Sequence, residues 1–136
     1  MALRSAYFGR WKGSPTVLLW GDAAGMRDLG DFLRSARSIA SGLTLEQFCV
    51  AVDNRTIAVR AVSERRDTGM RLVHNGLEWR LRPDLADEFA EKVDKLVSSA
   101  AGHQYLDAYG GNIVVEVSTG EYPDSLHPDR RPTAVR

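Results

Sequence analysis

The segment formed by residues 70–81 constrains the fold of this chain more than any other. Within residues 77–81, leucine and tryptophan alternate with charged residues, a period of two that is typical of a strand with one buried and one solvated face. The dipeptide Asn75-Gly76 separates these residues from the largely apolar run at 70–74. Because Asn-Gly is the strongest two-residue hairpin signal, the pattern predicts an antiparallel hairpin.

Two amphipathic helices are predicted, one on either side of the strand-rich middle of the chain. Residues 83–100 carry an apolar stripe at spacings of three and four, and Pro83 suits the first turn of a helix. A second stripe of the same period runs through residues 23–38, with Asp22 as its N-cap. Each helix therefore has one face for a core and one face for solvent.

Four further strands are predicted from short runs that are apolar or alternate in polarity. They lie at residues 16–20, 48–52, 56–62 and 113–118. The polar residues 53–55 form a turn signal between the second and third of these runs, which predicts a further hairpin.

The predicted order is strand, helix, four strands, helix, strand. This order indicates an α+β fold, a two-layer sandwich with a mostly antiparallel sheet and both helices on one face. The chain has 136 residues, which is enough for one domain with its own core. We expect a single domain at residues 1–126 and a loose tail at 127–136, where proline and charged residues dominate.

The charge balance limits the classes of partner. The chain has 18 basic and 18 acidic residues and a formal net charge of zero, whereas a general nucleic-acid binder needs a basic excess to neutralise phosphates. Nucleic acid is therefore an unexpected partner. A local basic face stays open as an alternative, although a solvated helix surface is the commoner explanation of the arginines that would form it. These are Arg27, Arg34, Arg37, Arg65 and Arg66.

Cys49 is the only cysteine, so the chain can form no internal disulfide. It lies in an apolar run at residues 48–52, where a buried and unreactive thiol is expected, because reactive cysteines need polar and partly exposed surroundings. Together with the lack of a signal-peptide pattern at residues 1–10, this predicts a cytoplasmic protein. The apolar runs are too short to cross a membrane.

The decapeptide GHQYLDAYGG, at residues 102–111, is the first candidate site. In an extended chain His103, Tyr105, Asp107 and Tyr109 point to one side. His103 would act as a general base oriented by Asp107, or the two would supply metal ligands, with the tyrosines as binding residues. The alternative is structural: His103 caps the second helix, Tyr105 packs in the core and Asp107 caps a turn.

Residues 118–123 form the second candidate site, since loops that follow strands often carry sites. Glu121 would serve as a second acid if the last strand doubles back beside His103 and Asp107, and Tyr122 would serve as a binding residue. The alternative is a surface turn ended by proline. No metal-binding spacing such as Cys-x-x-Cys or His-Glu-x-x-His occurs, so the sequence predicts neither a metal site nor a cofactor.

The three tryptophans divide into two groups. Trp20 and Trp79 lie at core-facing strand positions and are expected to be buried. Trp11 lies near the aromatic residues Tyr7 and Phe8, and would mark a self-association or partner surface if it is exposed.

Two short motifs carry a resemblance to other proteins. His103-Gln104-Tyr105-Leu106-Asp107, followed after one strand by Glu121-Tyr122-Pro123, resembles a pairing found in small bacterial proteins of similar length. That group has no assigned activity, so the resemblance implies no catalytic roles. It covers about the C-terminal third of the chain and implies a bacterial, cytoplasmic, single-domain protein.

Two functions from different classes follow from these observations. The first is a non-enzymatic binding or regulatory module, of the immunity or accessory type, that acts through a protein partner or by self-association. It rests on the lack of a recognised catalytic pattern and on a predicted sheet with a face or edge for a partner. The alternative is a small hydrolase or metal-assisted enzyme that uses His103, Asp107 and Glu121.

Overall fold

The computed structural model describes residues 3–35, 43–106 and 112–129. Within these ranges the chain forms nine β-strands and two α-helices. In chain order they are β1 (Leu3–Trp11), β2 (Ser14–Gly21), α1 (Ala23–Ser35), β3 (Leu43–Thr44), β4 (Cys49–Ala51), β5 (Thr56–Ala61), β6 (Gly69–Val73), β7 (Gly76–Leu81), α2 (Pro83–Val97), β8 (Gly102–Tyr105) and β9 (Val114–Thr119).

The strands form two mixed sheets. The predicted α+β class with two helices is confirmed, whereas the prediction of one mostly antiparallel sheet is wrong. The five-stranded sheet has the order β4-β1-β2-β9-β8 and the four-stranded sheet the order β3-β5-β7-β6. The pairs β1–β4, β2–β9 and β5–β7 are parallel. Parallel pairs need long connections, and here the β2–β9 connection contains both helices and β5–β7 is bridged by β6.

The hairpin predicted at residues 70–81 is confirmed, because β6 and β7 pair antiparallel with Met70 opposite Trp79. Its turn differs from the expected one. Val73 pairs with Gly76, so the two turn residues are His74 and Asn75, and Asn75 takes the left-handed conformation at φ 67°.

The hairpin predicted around residues 53–55 is wrong. The turn exists, with Asn54 at φ 63°, but β4 pairs with β1 in one sheet while β5 pairs with β3 and β7 in the other. The Asp53 carboxylate accepts a hydrogen bond of 2.8 Å from the backbone N–H of Tyr7. This contact ties the turn to β1, and β5 leaves it toward the second sheet.

The sequence reasoning did not predict β1, β3 or β8. β1 alternates between two buried faces: Leu3 and Tyr7 pack in the main core, and Ala6 and Phe8 pack on the opposite side. Since both faces of this strand are apolar, it lacks the alternation of polarity that identifies a half-buried strand. Lys12, at φ 51°, lies in the turn that joins β1 to β2.

The main core lies between the helices and the inner faces of both sheets. It contains Leu29 of α1, Phe89 of α2, Val17 and Val117 of the five-stranded sheet, and Trp79 of the four-stranded sheet. Asp22 caps α1 as predicted, through a 2.9 Å hydrogen bond from the backbone N–H of Gly25. Among the described residues, neither helix has the length and hydropathy needed to cross a membrane.

A second apolar cluster covers the other side of the five-stranded sheet, which we call the outer face. Its members are Ala6, Phe8, Trp11, Leu18, Trp20 and Leu126. Trp20 and Trp79 are buried as predicted, but Trp11 is only 2% exposed. The condition that would have made Trp11 a partner contact is therefore not met.

Cys49 is buried in the main core, as predicted. Burial raises the pKa of its thiol to about 11, against the opposing effects of a hydrogen bond with Ser5 and the charge of Arg4. The sulfur therefore stays protonated and unreactive near neutral pH.

Candidate functional site

The two motifs noted in the sequence meet on the outer face of the five-stranded sheet. In the β8–β9 pairing, His103 lies opposite Ser118 and Tyr105 lies opposite Glu116. Directly opposite side chains in an antiparallel pair are neighbours on one face. The sheet register therefore brings two residues of the first motif beside the residues that lead into the second.

His103 and Glu121 form an ion pair or hydrogen bond, depending on the protonation state of the imidazole. His103 Nδ1 lies 3.0 Å from Glu121 Oε1 and 3.2 Å from Oε2, and the Ser118 hydroxyl donates a 2.6 Å hydrogen bond to Oε1. Burial opposes ionisation of Glu121, but the hydrogen bonds from Ser118 and His103 outweigh it and lower the pKa of this carboxyl. Glu121 is therefore held as a carboxylate.

Glu116 is the buried acid of the site, with a side chain only 1% exposed. Its carboxylate accepts hydrogen bonds from Trp11 Nε1 at 3.3 Å, from Lys12 Nζ at 3.3 Å and from the Tyr122 hydroxyl at 3.4 Å. Burial tends to lower the pKa of Lys12, but the charge of Glu116 outweighs it and the pKa is raised. Lys12 therefore supplies a permanent positive charge to the buried acid.

The Tyr122 phenol belongs to the same group of side chains. Burial and the nearby Glu116 carboxylate both raise its pKa, so it stays protonated and can donate its hydrogen bond. Its ring also packs edge-on against Trp11, with the ring centroids 5.3 Å apart. Tyr122 was predicted as a binding residue, and the contacts described here are with Glu116 and Trp11 of its own chain.

The predicted catalytic residues are only partly brought together. His103 and Glu121 meet, whereas Asp107 and the predicted binding residue Tyr109 lie outside the described residues. His103 is part of β8 and does not cap α2, which ends at Val97. Tyr105 is 36% exposed and packs edge-on against the His103 ring at 5.4 Å.

Sequence reasoning missed Lys12 and Glu116, and it placed Ser118 in the second candidate site without giving it a role. Glu116 was read only as a member of the last predicted strand, where it alternates with Val115 and Val117. The available signal was that Val114, Val115 and Val117 place apolar residues on both sides of the strand around Glu116, and a charge in such surroundings needs a buried partner.

The network fastens the segment after β9, residues 120–126, to the outer face. Trp20 Nε1 donates a 3.0 Å hydrogen bond to the Pro123 carbonyl, and Arg4 pairs with Asp124 at 3.2 Å. Leu126 completes the cover over the second apolar cluster. Together with the contacts of Glu121 and Tyr122, these interactions hold this segment against the sheet. The polar residues of the site therefore have a structural role.

A metal ion would find three ligands here. One atom each from His103, Glu116 and Glu121 lie within 4.8 Å of one another, and imidazole and carboxylate are suitable ligands for zinc. Lys12, however, already contacts both carboxylate oxygens of Glu116. A cation would have to displace this ammonium group before it could use all three residues.

The arrangement is also unlike a catalytic triad. In a triad the histidine lies between the serine and the acid, but here Ser118 donates to Glu121 and is itself buried. A cleft of about 170 Å³ borders the network and is lined by Trp11, Lys12 and Glu116 among others, without His103 or Glu121. The predicted base and acid therefore do not line this cleft.

A different polar surface lies on the solvent side of the four-stranded sheet, opposite Trp79. Arg60 of β5, Arg71 of β6, and Glu78 and Arg80 of β7 make up this surface, which we call the arginine face. Glu78 contacts Arg80 at 2.7 Å, Arg71 at 3.4 Å and Arg60 at 3.7 Å. Arg60 and Arg71 are each 54% exposed.

The basic face predicted from the sequence involves a different set of residues, and one of them is neutralised by ion pairs. Arg34 is paired with Asp31 at 2.8 Å and with Asp94 of α2 at 2.7 Å, which neutralises its charge. Arg37 lies outside the described residues.

We expect Glu78→Gln to reduce the acid dependence of folding stability. Partial burial opposes ionisation of Glu78, but the hydrogen bond from Arg80 and the charges of the three arginines outweigh it and lower its pKa. A lowered pKa in the folded state gives stability that is present above the unfolded pKa and is lost as the pH falls through the folded pKa. The substitution should cost about 0.5–1 kcal/mol at neutral pH and less as the pH falls below about 4.

Urea unfolding at a series of pH values checks this expectation, with the exposed Glu88→Gln on α2 as the matched control. Equal pH profiles for the wild type and Glu78→Gln would show that the arginines do not act on this carboxylate.

No family model matches this chain, and neither a curated protein nor a solved structure matches it. Its function is therefore inferred from the geometry of the fold and its surfaces.

Proposed function

We propose that this chain is a non-enzymatic binding module that acts through a protein partner, in a regulatory or accessory role. The observation that carries the proposal is the arginine face. Helix α2 packs against the opposite side of the four-stranded sheet, where Trp79 stacks on Phe89 with ring centroids 6.2 Å apart. Within the described residues Arg60 and Arg71 remain open to solvent on the other side, and an open sheet face is a suitable platform for a partner.

The polar network of the outer face supports the same conclusion. Catalytic acids and bases need access to a substrate, whereas Glu116 is buried and has its oxygens occupied by groups of its own chain. A buried polar network with its members satisfied rigidifies a fold. The network therefore serves the stability of the module.

A metal-assisted enzyme is the second candidate, and the approach of His103, Glu116 and Glu121 favours it. Its chemistry would need Lys12 to leave Glu116, and a metal-bound water near His103. Under this alternative, a divalent metal ion would bind the purified protein and small-molecule hydrolysis would depend on that ion.

Site-specific photo-cross-linking in the native host tests the leading proposal. The cross-linking residue replaces Val73, which is exposed at the end of β6 on the arginine side, and in a matched control it replaces the exposed Glu88 of α2. We expect a protein joined through position 73 and not through position 88. That protein, made separately, should then form a stoichiometric complex with this chain in sedimentation experiments.

Each other outcome has a definite meaning. A complex that reconstitutes but cross-links only through position 88 keeps the binding module and moves its surface to the helices. If no partner reconstitutes and a metal-dependent turnover is measured, the enzyme alternative replaces the proposal.

A further inference from the structure

We propose that the arginine face binds a cluster of carboxylates on an acidic protein surface, an inference that rests on the proposed function and names the chemistry of the partner. Arg60 and Arg71 make the contact. Glu78 and Arg80 hold them in position.

The charge of the arginine face points to an anionic partner. Three guanidinium groups share the single carboxylate of Glu78, so two positive charges are left. The adjoining cleft of about 240 Å³ adds Arg66 and Asp67, whose charges offset each other. In a chain whose formal net charge is zero, this is a local excess, and charge complementarity steers association.

The geometry shows which arginines are available. Arg80 Nε makes the shortest contact with Glu78, at 2.7 Å, and Arg80 is only 24% exposed. The contacts of Arg60 and Arg71 are longer, at 3.7 and 3.4 Å, and both side chains are more than half exposed. Each guanidinium group has five N–H donors in a planar fork, so one contact with Glu78 leaves most donors for a partner carboxylate.

Glu78 prepares the face for binding. It lies on the central strand of the three, between β5 and β6, and draws Arg60 and Arg71 toward one point from both sides. Holding charged side chains before association lowers the entropy lost when a partner arrives. Because the two groups converge, the partner must present its carboxylates close together.

The residues around Arg60 and Arg71 leave room for a protein surface to approach the arginine face. Ala58 lies opposite Glu78 in the β5–β7 pairing, and Gly69 lies opposite Arg80 in the β6–β7 pairing. These small residues keep the sheet face low between the arginines, which allows close approach. A nucleic-acid backbone fits less well, since its affinity grows with the number of neutralised phosphates and Glu78 places a negative charge in the middle of the face.

A defined acidic probe tests the inference. The full-length protein is titrated with a polyglutamate peptide of about ten residues at low ionic strength, and the side-chain Nε–Hε signals of its arginines are followed by NMR. We expect the signals of Arg60 and Arg71 to shift while that of the exposed Arg27 on α1 stays in place. The double variant Arg60→Glu/Arg71→Glu should bind at least about tenfold more weakly.

Arg27→Glu is the matched control, because it reverses an exposed arginine away from the face and should change affinity by less than about twofold. Circular dichroism and urea unfolding show whether each variant keeps its fold. A second probe, duplex DNA of similar total charge, should bind more weakly than the peptide.

The inference is overturned if Arg27 shifts as much as Arg60 and Arg71, which would indicate unspecific attraction. It is also overturned if the double variant binds the peptide unchanged, or if DNA binds more tightly. None of these results concerns the cross-linked partner. A partner that reconstitutes and still binds the double variant would keep the binding module and reject only the arginine face as its contact.

Discussion

Replacing Lys12 by methionine should lower the free energy of unfolding by about 2–3 kcal/mol. The reason is that Glu116 is buried and would lose the only cation within hydrogen-bond distance of it among the described residues. Breaking a buried ion pair by removing one partner costs about 3–5 kcal/mol because the remaining charge stays uncompensated. We expect a smaller loss here because Lys12 is 33% exposed and Trp11 and Tyr122 still donate to the acid.

A double-mutant cycle separates this effect from general damage to the fold. Glu116→Gln in the Lys12→Met background removes the uncompensated charge, so the double variant should be more stable than the sum of the two single changes predicts. Lys95→Met is the matched control, because Lys95 is an exposed lysine of α2. It should change stability by less than about 0.5 kcal/mol.

Urea unfolding at neutral pH measures each member of the cycle. A loss below about 0.5 kcal/mol for Lys12→Met, equal to that of the control, would contradict the expectation. It would mean that water reaches Glu116 and replaces the ammonium group.

Replacing Gly120 by alanine should cost about 3–4 kcal/mol, from two separate causes. Gly120 has φ 71°, in the left-handed region, where a side chain costs about 1–2 kcal/mol. An added Cβ would also overlap the backbone carbonyl oxygen of Ala100, and overpacking of this kind costs about 1–3 kcal/mol. Backbone atoms cannot turn aside as a flexible side chain can.

Gly13→Ala isolates the first of these causes. Gly13 also has a positive φ, 88°, but a Cβ there would meet nothing within 4 Å. We therefore expect a loss of about 1–2 kcal/mol, measured by the same unfolding experiment. Equal stability of the two alanine variants would contradict this expectation. It would mean that the Ala100 carbonyl moves without cost, so that the close approach between the end of β9 and the segment after α2 does not affect the free energy of unfolding.

Gly120 matters because it connects the two halves of the network on the outer face. Ser118 lies before it and Glu121 after it, and their hydrogen bond closes the turn. A change at Gly120 should therefore also disturb the contact of Glu121 with His103, which NMR of the imidazole would report.

Local sequence patterns predicted the elements whose signals are carried by neighbouring residues. The hairpin of β6 and β7, the start of α2 at Pro83 and the capping of α1 by Asp22 all depend on residues a few positions apart. Period-two alternation and capping chemistry work at that range. These predictions are confirmed for the residues that the structure describes.

The partners of the strands were decided by contacts across long sequence distances. β1 was missed because Leu3, Ala6 and Phe8 are buried on both faces and leave no alternation to detect. β4 pairs with β1 and not with β5 as predicted, because Asp53 accepts a hydrogen bond from the backbone of Tyr7 in β1. A turn signal shows that the chain reverses, but it does not show which strand it will pair with afterwards.

The candidate site divides in the same way. Its residue types were visible in the sequence, since His103, Glu121 and Tyr122 were all singled out. The meeting of His103 with Glu121 and the burial of Glu116 beside Lys12 depend on the register of β8 on β9 and on the turn after β1. The sequence therefore determined which local elements and charged groups exist, through interactions over a few residues. The tertiary structure alone decided which charges are buried together and which, like Arg60 and Arg71, stay open for a partner, because burial depends on strand pairings between residues far apart in the chain.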